Sequence, residues 1–167
     1  FGDYLRCGAI AANSPIMDAI INFAKKGGYI VGICNGFQVL TESGLLKGTL
    51  MRNSQLTFIC KHQSLIINNS QSIMTKRFSE SEEITLPIAH HDGNYYAEDE
   101  TIKELEDNGQ ILFRYKGNPN GSKNHIAGIM SSNQRILGMM PHPERAVDES
   151  LGTTHGSKIF KSIIESF

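Results

Sequence analysis

YIVGICNGFQVLTESG, residues 29–44, is the stretch whose reading decides the fold. Residues 29–33 form a short apolar run that reads as a buried strand, and residues 35–42 read as a helix that starts at once after it. Cys34 is left on the turn between them, flanked by Gly32 and Gly36. G-x-C-x-G at a strand-to-helix turn has the form of a nucleophile elbow with sulfur in place of a serine oxygen. Glycine on either side lets backbone pass close to the turn. A thiol at a helix N-terminus is biased toward the thiolate, the form that attacks carbonyl carbon. The competing reading of Cys34 is a small buried hydrophobe.

Working outward, Asn13 and Ser14 supply N-cap chemistry, Pro15 suits a first helical position, and Asp18 follows in the first turn. A helix over residues 15–26 is expected, with Ile16, Ile20, Phe23 and Ala24 on its apolar face and Lys25, Lys26 and Gly27-Gly28 as stop signals. Helix, strand, elbow and helix in succession make an α/β pattern. Beyond the elbow, residues 56–59 and 64–67 read as strands, and the polar residues 68–83 as a surface excursion. A short helix from Glu98 through Leu105 ends at Asn108-Gly109, and residues 110–115 return to strand. After the turn-rich residues 116–124, strands at 126–131 and 135–140 flank a hairpin turn, and a helix over 157–167 places Ile159, Phe160, Ile163 and Ile164 on one side.

Composition narrows the function classes. The 167 residues are 40% apolar and 20% charged, which suits one folded domain. A net charge of −1 offers no footprint for nucleic acid or an anionic membrane. Cys7, Cys34 and Cys60 stand far apart, suggesting neither a disulfide framework nor a zinc site. No apolar run approaches the ~18 residues of a membrane span, so a cytoplasmic location is expected.

A cysteine nucleophile needs a base, and the base needs orienting. Residues 139–145, MMPHPER, offer His142 held between two prolines. Proline at 143 pushes His142 toward extended backbone, where residues two apart share a side, so His142 and Glu144 are expected to face the same way. Glu144 could then hold the imidazole as the acid does in a Ser-His-Asp triad. The plain alternative is a polar loop stiffened by two prolines.

GICNGFQVLTESGLL (32–46) and GMMPHPERAV (138–147) resemble signature segments of the glutaminase subunit of phosphoribosylformylglycinamidine synthase, a class I glutamine amidotransferase. FGDYLRCGAIA (1–11), LPIAHHDGNYYA (86–97) and NPNGS (118–122) with the IAGI that follows resemble it too, so the likeness runs along the chain. It implies an α/β, three-layer, flavodoxin-like amidotransferase fold: a mostly parallel central sheet with helices on both faces, plus a small antiparallel section. It implies a Cys34, His142 and Glu144 triad, with an oxyanion hole from the Asn35 N–H and a second N–H in a Gly-Gly loop. In the family that loop precedes the segment matching FGDYLRCG, so Phe1 is expected to fall about one quarter of the way into an N-terminally incomplete domain.

The resemblance further implies that Gln38 contacts glutamine near the thioester, with an exposed helix glutamine as the alternative. His90 and His91 are candidate substrate-site residues. Adjacent side chains on extended backbone point opposite ways, so the pair is not expected to chelate a metal. Asn118, Asn120 and Gly121 are accounted for by turn chemistry. Implied partners are the large synthetase subunit, which carries ATP and magnesium, and a small accessory subunit. The chain itself has no G-x-x-x-x-G-K-[ST] run and is expected to hold no cofactor. The rival readings are another elbow-type cysteine hydrolase and a catalytically impaired interaction subunit.

Overall fold

A computed structural model describes residues 7–167, and the statements below concern those residues. The FGDYLR part of the resembling N-terminal segment lies outside them. In chain order the elements are α1 (Cys7–Ala12), α2 (Ile16–Lys25), β1 (Ile30–Ile33), α3 (Asn35–Glu42), β2 (Thr49–Met51), β3 (Ile59–Ile67), β4 (Glu83–His90) and β5 (Asn94–Tyr96). They continue with α4 (Asp99–Asp107), β6 (Ile111–Tyr115), β7 (Ile126–Met130), β8 (Ile136–Met139) and α5 (His155–Ile164).

Six strands form one sheet in the order β1-β8-β7-β6-β3-β4, and β2 pairs with β5 in a separate ribbon. Alternation along the strands divides the core between the two faces. Ile111, Ile129 and Ile136 meet Phe37 and Leu40 of α3 and Ile102 and Leu105 of α4. Leu65, Ile84, Leu86, Phe113, Leu137 and Met139 face the other way, onto Ile159 of α5. Helices thus cover both faces of an α/β sheet, as expected.

The proportion of parallel pairing differs from expectation. Among the described residues β1 with β8 is parallel, while β3 with β4, β3 with β6, β6 with β7 and β7 with β8 are antiparallel, so the sheet is mixed. A parallel pair needs a long crossover, whereas short reversals such as that between β7 and β8 return the chain antiparallel. The sheet also curls. β1 and β4 end the strand order at opposite sides, yet the Cys34 Sγ just after β1 lies 3.8 Å from the Ala89 carbonyl oxygen near the end of β4.

Four local readings are corrected. Residues 56–59 are not a strand of their own: Leu56 has φ 57°, and one strand runs over Ile59–Ile67. Residues 83–90, with Glu83 expected at the end of the excursion and the rest in no element, form β4, with Met74 and Phe78 of the excursion buried in the core. Pro87 obscured this strand, because proline is tolerated only where its missing N–H faces a free edge, and β4 is an edge. In α2 the buried residues are Met17 and Ala24, while Ile16 and Phe23 are exposed. A shift of one residue rotates a helix face by about 100°. In α5 Ile159 is buried but Ile164 is exposed.

Candidate active site

The parallel pairing of β1 with β8 builds the site. Ile33 and Met139 are in register, so the chain leaves both strands at the same end. The Cys34 N–H donates to the Met139 carbonyl at 2.8 Å, and His142 follows three residues later. Cys34 sits at φ 52°, ψ −107°, a conformation costly for a residue with a Cβ. A Cβ at Gly32 would stand 2.7 Å from backbone atoms of Gly36, so the elbow closes only over glycine there. Nothing crowds a Cβ at Gly36 within 4 Å, so close packing does not account for that glycine. Asn35 is the first residue of α3, where a backbone N–H has no intrahelical acceptor.

The free edge of β4 carries the other half. The His142 N–H donates to the Pro87 carbonyl at 2.8 Å, two residues from the Ala89 carbonyl that faces Cys34. His142 Nδ1 lies 2.5 Å from Glu144 Oε1. A carboxylate only accepts, which assigns a proton to Nδ1, so that in the neutral imidazole the lone pair is on Nε2. Nε2 is buried and makes no hydrogen bond among the described residues. The two side chains do not meet along an extended strand as expected. Pro143–Arg145 is a 3-10 turn that carries Glu144 back under the ring. α5 presses on that turn: the Gly156 N–H donates to Ala146 O at 2.8 Å, and a Cβ at Gly156 would lie 1.9 Å from Pro143 O. Burial pushes the Glu144 carboxyl up, but the hydrogen bond and charge of His142 outweigh it and hold the group below the usual carboxylate range.

Gln38 is buried rather than exposed, and its amide is engaged within the protein. Oε1 accepts from Asn35 Nδ2 at 3.1 Å and from the Cys7 thiol at 2.8 Å, while Nε2 donates to Asp92 O at 2.9 Å. His90 and His91 point apart. His90 is fully buried with Nδ1 3.0 Å from Asn53 Oδ1, and His91 is half-buried with Nε2 3.2 Å from Leu56 O. Burial, followed by the charge of His142, depresses His90 to about 4.

Sequence reading missed Asn53 and undervalued Asn120. Both are fully buried. Asn120 Nδ2 donates to Gly93 O at 2.7 Å, its Oδ1 accepts from the Ser122 hydroxyl at 2.8 Å, and its carbonyl accepts from Ser54 N–H at 2.9 Å. The AHHDG and NPNGS segments are therefore stitched together beside the elbow through residues 53–54. No local pattern marks a loop asparagine as buried, because its partners are distant in sequence.

A cavity of about 330 Å³ opens beside Gln38, lined also by Glu42, Arg52 and Asp92. Neither Cys34 nor His142 lines it, but Gln38 connects it to the elbow helix.

Residues 3–159 match the CobB/CobQ-like glutamine amidotransferase domain family. The fold is that of the class I glutamine amidotransferases, an α/β architecture with a curled mixed sheet. The phosphoribosylformylglycinamidine synthase subunit PurQ of Roseobacter denitrificans is 56% identical over 98% of this chain and 73% of that protein. The protein of the same name from a Nostoc species is 55% identical over 99% of this chain and 74% of its own length. A solved structure, PurLQS from Thermotoga maritima, superposes with a TM-score of 0.91 at 44% identity, covering 99% of this chain and 74% of that one. The chain belongs to this amidotransferase family and, within it, to the PurQ subunits of phosphoribosylformylglycinamidine synthase.

Proposed function

We propose that the chain hydrolyses glutamine through Cys34, His142 and Glu144 and passes the ammonia to a synthetase partner in purine biosynthesis. The observation that carries this reading is the convergence of Cys34 and the His142–Glu144 pair at one end of two parallel strands, in a chain of this family. Cys34 gives its proton to His142 Nε2, and the thiolate attacks the side-chain amide carbon of glutamine. The Asn35 N–H supports the developing oxyanion. As the C–N bond breaks, the imidazolium returns the proton to the leaving nitrogen, so ammonia departs and a glutamyl thioester remains. Water, deprotonated by His142, attacks the thioester; glutamate leaves and the thiol is restored. Glu144 steadies the imidazolium throughout.

The charged lining of the cavity beside Gln38, with Arg52, Glu42 and Asp92, suits the ammonium and carboxylate of an amino acid. Gln38, fully engaged with Asn35, Cys7 and Asp92, acts by holding that wall. Among the described residues no helix is long and apolar enough to cross a membrane. Ammonia in water is lost, so its delivery requires the partner assembly seen in the Thermotoga complex. ATP and magnesium belong to the synthetase in this scheme.

Trapping the thioester tests the reading. With glutamine and the synthetase present, a mass increase of one glutamyl group should map to Cys34. Cys34→Ser should abolish glutamine-dependent synthesis and leave ammonia-dependent synthesis intact. Equal glutamine hydrolysis by wild type and Cys34→Ser would refute it. Ammonia-dependent synthesis without any glutamine-dependent synthesis by the wild type would favour the impaired interaction subunit.

A further inference from the structure

Asn53 is fully buried between the elbow-side loops, and every polar group it has is directed. Its Nδ2 donates to Thr57 O at 2.8 Å and His90 O at 2.9 Å. Its Oδ1 accepts from the Gly93 N–H at 3.2 Å. Flipping the amide would set Nδ2 against an N–H and Oδ1 against two carbonyls, so the orientation is fixed. Oδ1 therefore also accepts from His90 Nδ1 at 3.0 Å, which places the His90 proton on Nδ1. The lone pair on His90 Nε2 is left buried, with no hydrogen bond among the described residues.

Where that lone pair sits matters. His90 shares its face of β4 with Ile84, Leu86 and Ile88, the inner apolar face of the curled sheet, and is its last residue, at the catalytic end. It is close enough to His142 to feel its charge. The Tyr115 hydroxyl, buried on the same inner face, lies near Asn120 and Cys34. An orphaned buried polar atom such as His90 Nε2 is rare in folded proteins, and a bound water or a small polar group is one means of satisfying it.

We propose that Asn53 is a positioning residue for the glutamine hydrolysis described above: it locks His90 as the neutral Nδ1–H tautomer, whose Nε2 lone pair accepts a hydrogen bond from a small neutral donor at the end of β4 that adjoins Cys34 and His142. Two molecules of the reaction have that chemistry, the departing ammonia and the attacking water. The inference rests on the proposed glutaminase reading for its chemical meaning, but the tautomer itself does not.

The test uses the full-length protein with its synthetase for kinetics and histidine-labelled full-length protein for nitrogen NMR. Wild-type His90 should show a protonated Nδ1 and an unprotonated Nε2; an Nε2–H tautomer or an imidazolium at pH 7.5 overturns the proposal, whatever the enzyme activity. Asn53→Asp keeps the acceptor but adds a charge that favours the imidazolium and removes the lone pair. It should lower kcat for glutamine about tenfold, as expected for one hydrogen bond, with KM within about twofold. Slowed thioester formation identifies ammonia as the donor, and thioester accumulation identifies water. An Asn53→Asp protein with His90 as imidazolium and unchanged kcat, or with only KM altered, overturns the proposal. Should Asn53→Asp not fold, the wild-type tautomer still decides. Absence of any thioester in the wild type, with the tautomer as stated, would refute the glutaminase reading alone.

Discussion

The backbone N–H of His142 is held by the carbonyl of Pro87 at 2.8 Å, on the free edge of β4. A proline there contributes no N–H to the free edge, and its carbonyl, together with that of Ala89, is left facing the catalytic segment. The edge of β4 thus serves as a rail along which Cys34 and His142 are aligned from different parts of the chain.

Removing the negative charge from Glu144 tests the pair directly. Glu144→Gln should lower kcat by on the order of 10²–10⁴, by analogy with loss of the orienting acid in other triads, with little change in KM. The carboxyl is held below its unfolded value, so its stabilising contribution is present above that value, about 4.3, and is lost as pH falls through the folded one. Urea melts of wild type and Glu144→Gln should therefore converge as pH falls below about 4. Parallel curves through that window would contradict the assignment.

His90 sets a second acid limb, in a higher window. Its folded value of about 4 lies below the ~6.5 of an exposed imidazole, so the unfolded chain binds the extra proton first as pH falls. Stability should be complete above about pH 6.5 and fall by about 3 kcal/mol by pH 4. His90→Gln should be less stable at neutral pH but lose this slope. Equal slopes in calorimetric scans at pH 7 and pH 5 would show that His90 is not buried neutral.

The strain at Cys34 separates activity from stability. Cys34→Ala and Cys34→Gly should both abolish glutamine hydrolysis. Glycine accommodates φ 52° without a Cβ penalty, so Cys34→Gly should be more stable than Cys34→Ala by about 1 kcal/mol. Chemical denaturation of the two variants measures the difference, and a more stable alanine variant would argue against the elbow geometry.

The two elbow glycines should behave differently. Gly32→Ala drives a Cβ to within 2.7 Å of Gly36 backbone and should cost about 1–3 kcal/mol and most of the activity. Gly36→Ala meets no such obstacle and, as a glycine-to-alanine change inside a helix, should be neutral or stabilising by up to about 1 kcal/mol. Thermal melts of the pair check this, and equal losses would mean that Gly36 is constrained by something other than packing.

The sequence by itself determined what depends on neighbours in the chain. The strand, turn and helix around Cys34, the β7–β8 hairpin and the reach of α4 follow from local periodicity, glycine and capping chemistry, which act over a few residues. Tertiary structure decided what depends on distant partners. Which side of α2 is buried, that residues 83–90 with Pro87 form an edge strand, and that Asn53 and Asn120 are interior polar links were settled by packing and by hydrogen bonds between residues far apart in the chain, such as Asn53 with Gly93 and Ser54 with Asn120. So was the turn of Glu144 under His142, where α5 supplies the pressure. Residue types announce which groups can react; only the curl of the sheet, which brings the end of β4 to the ends of β1 and β8, sets them against one another.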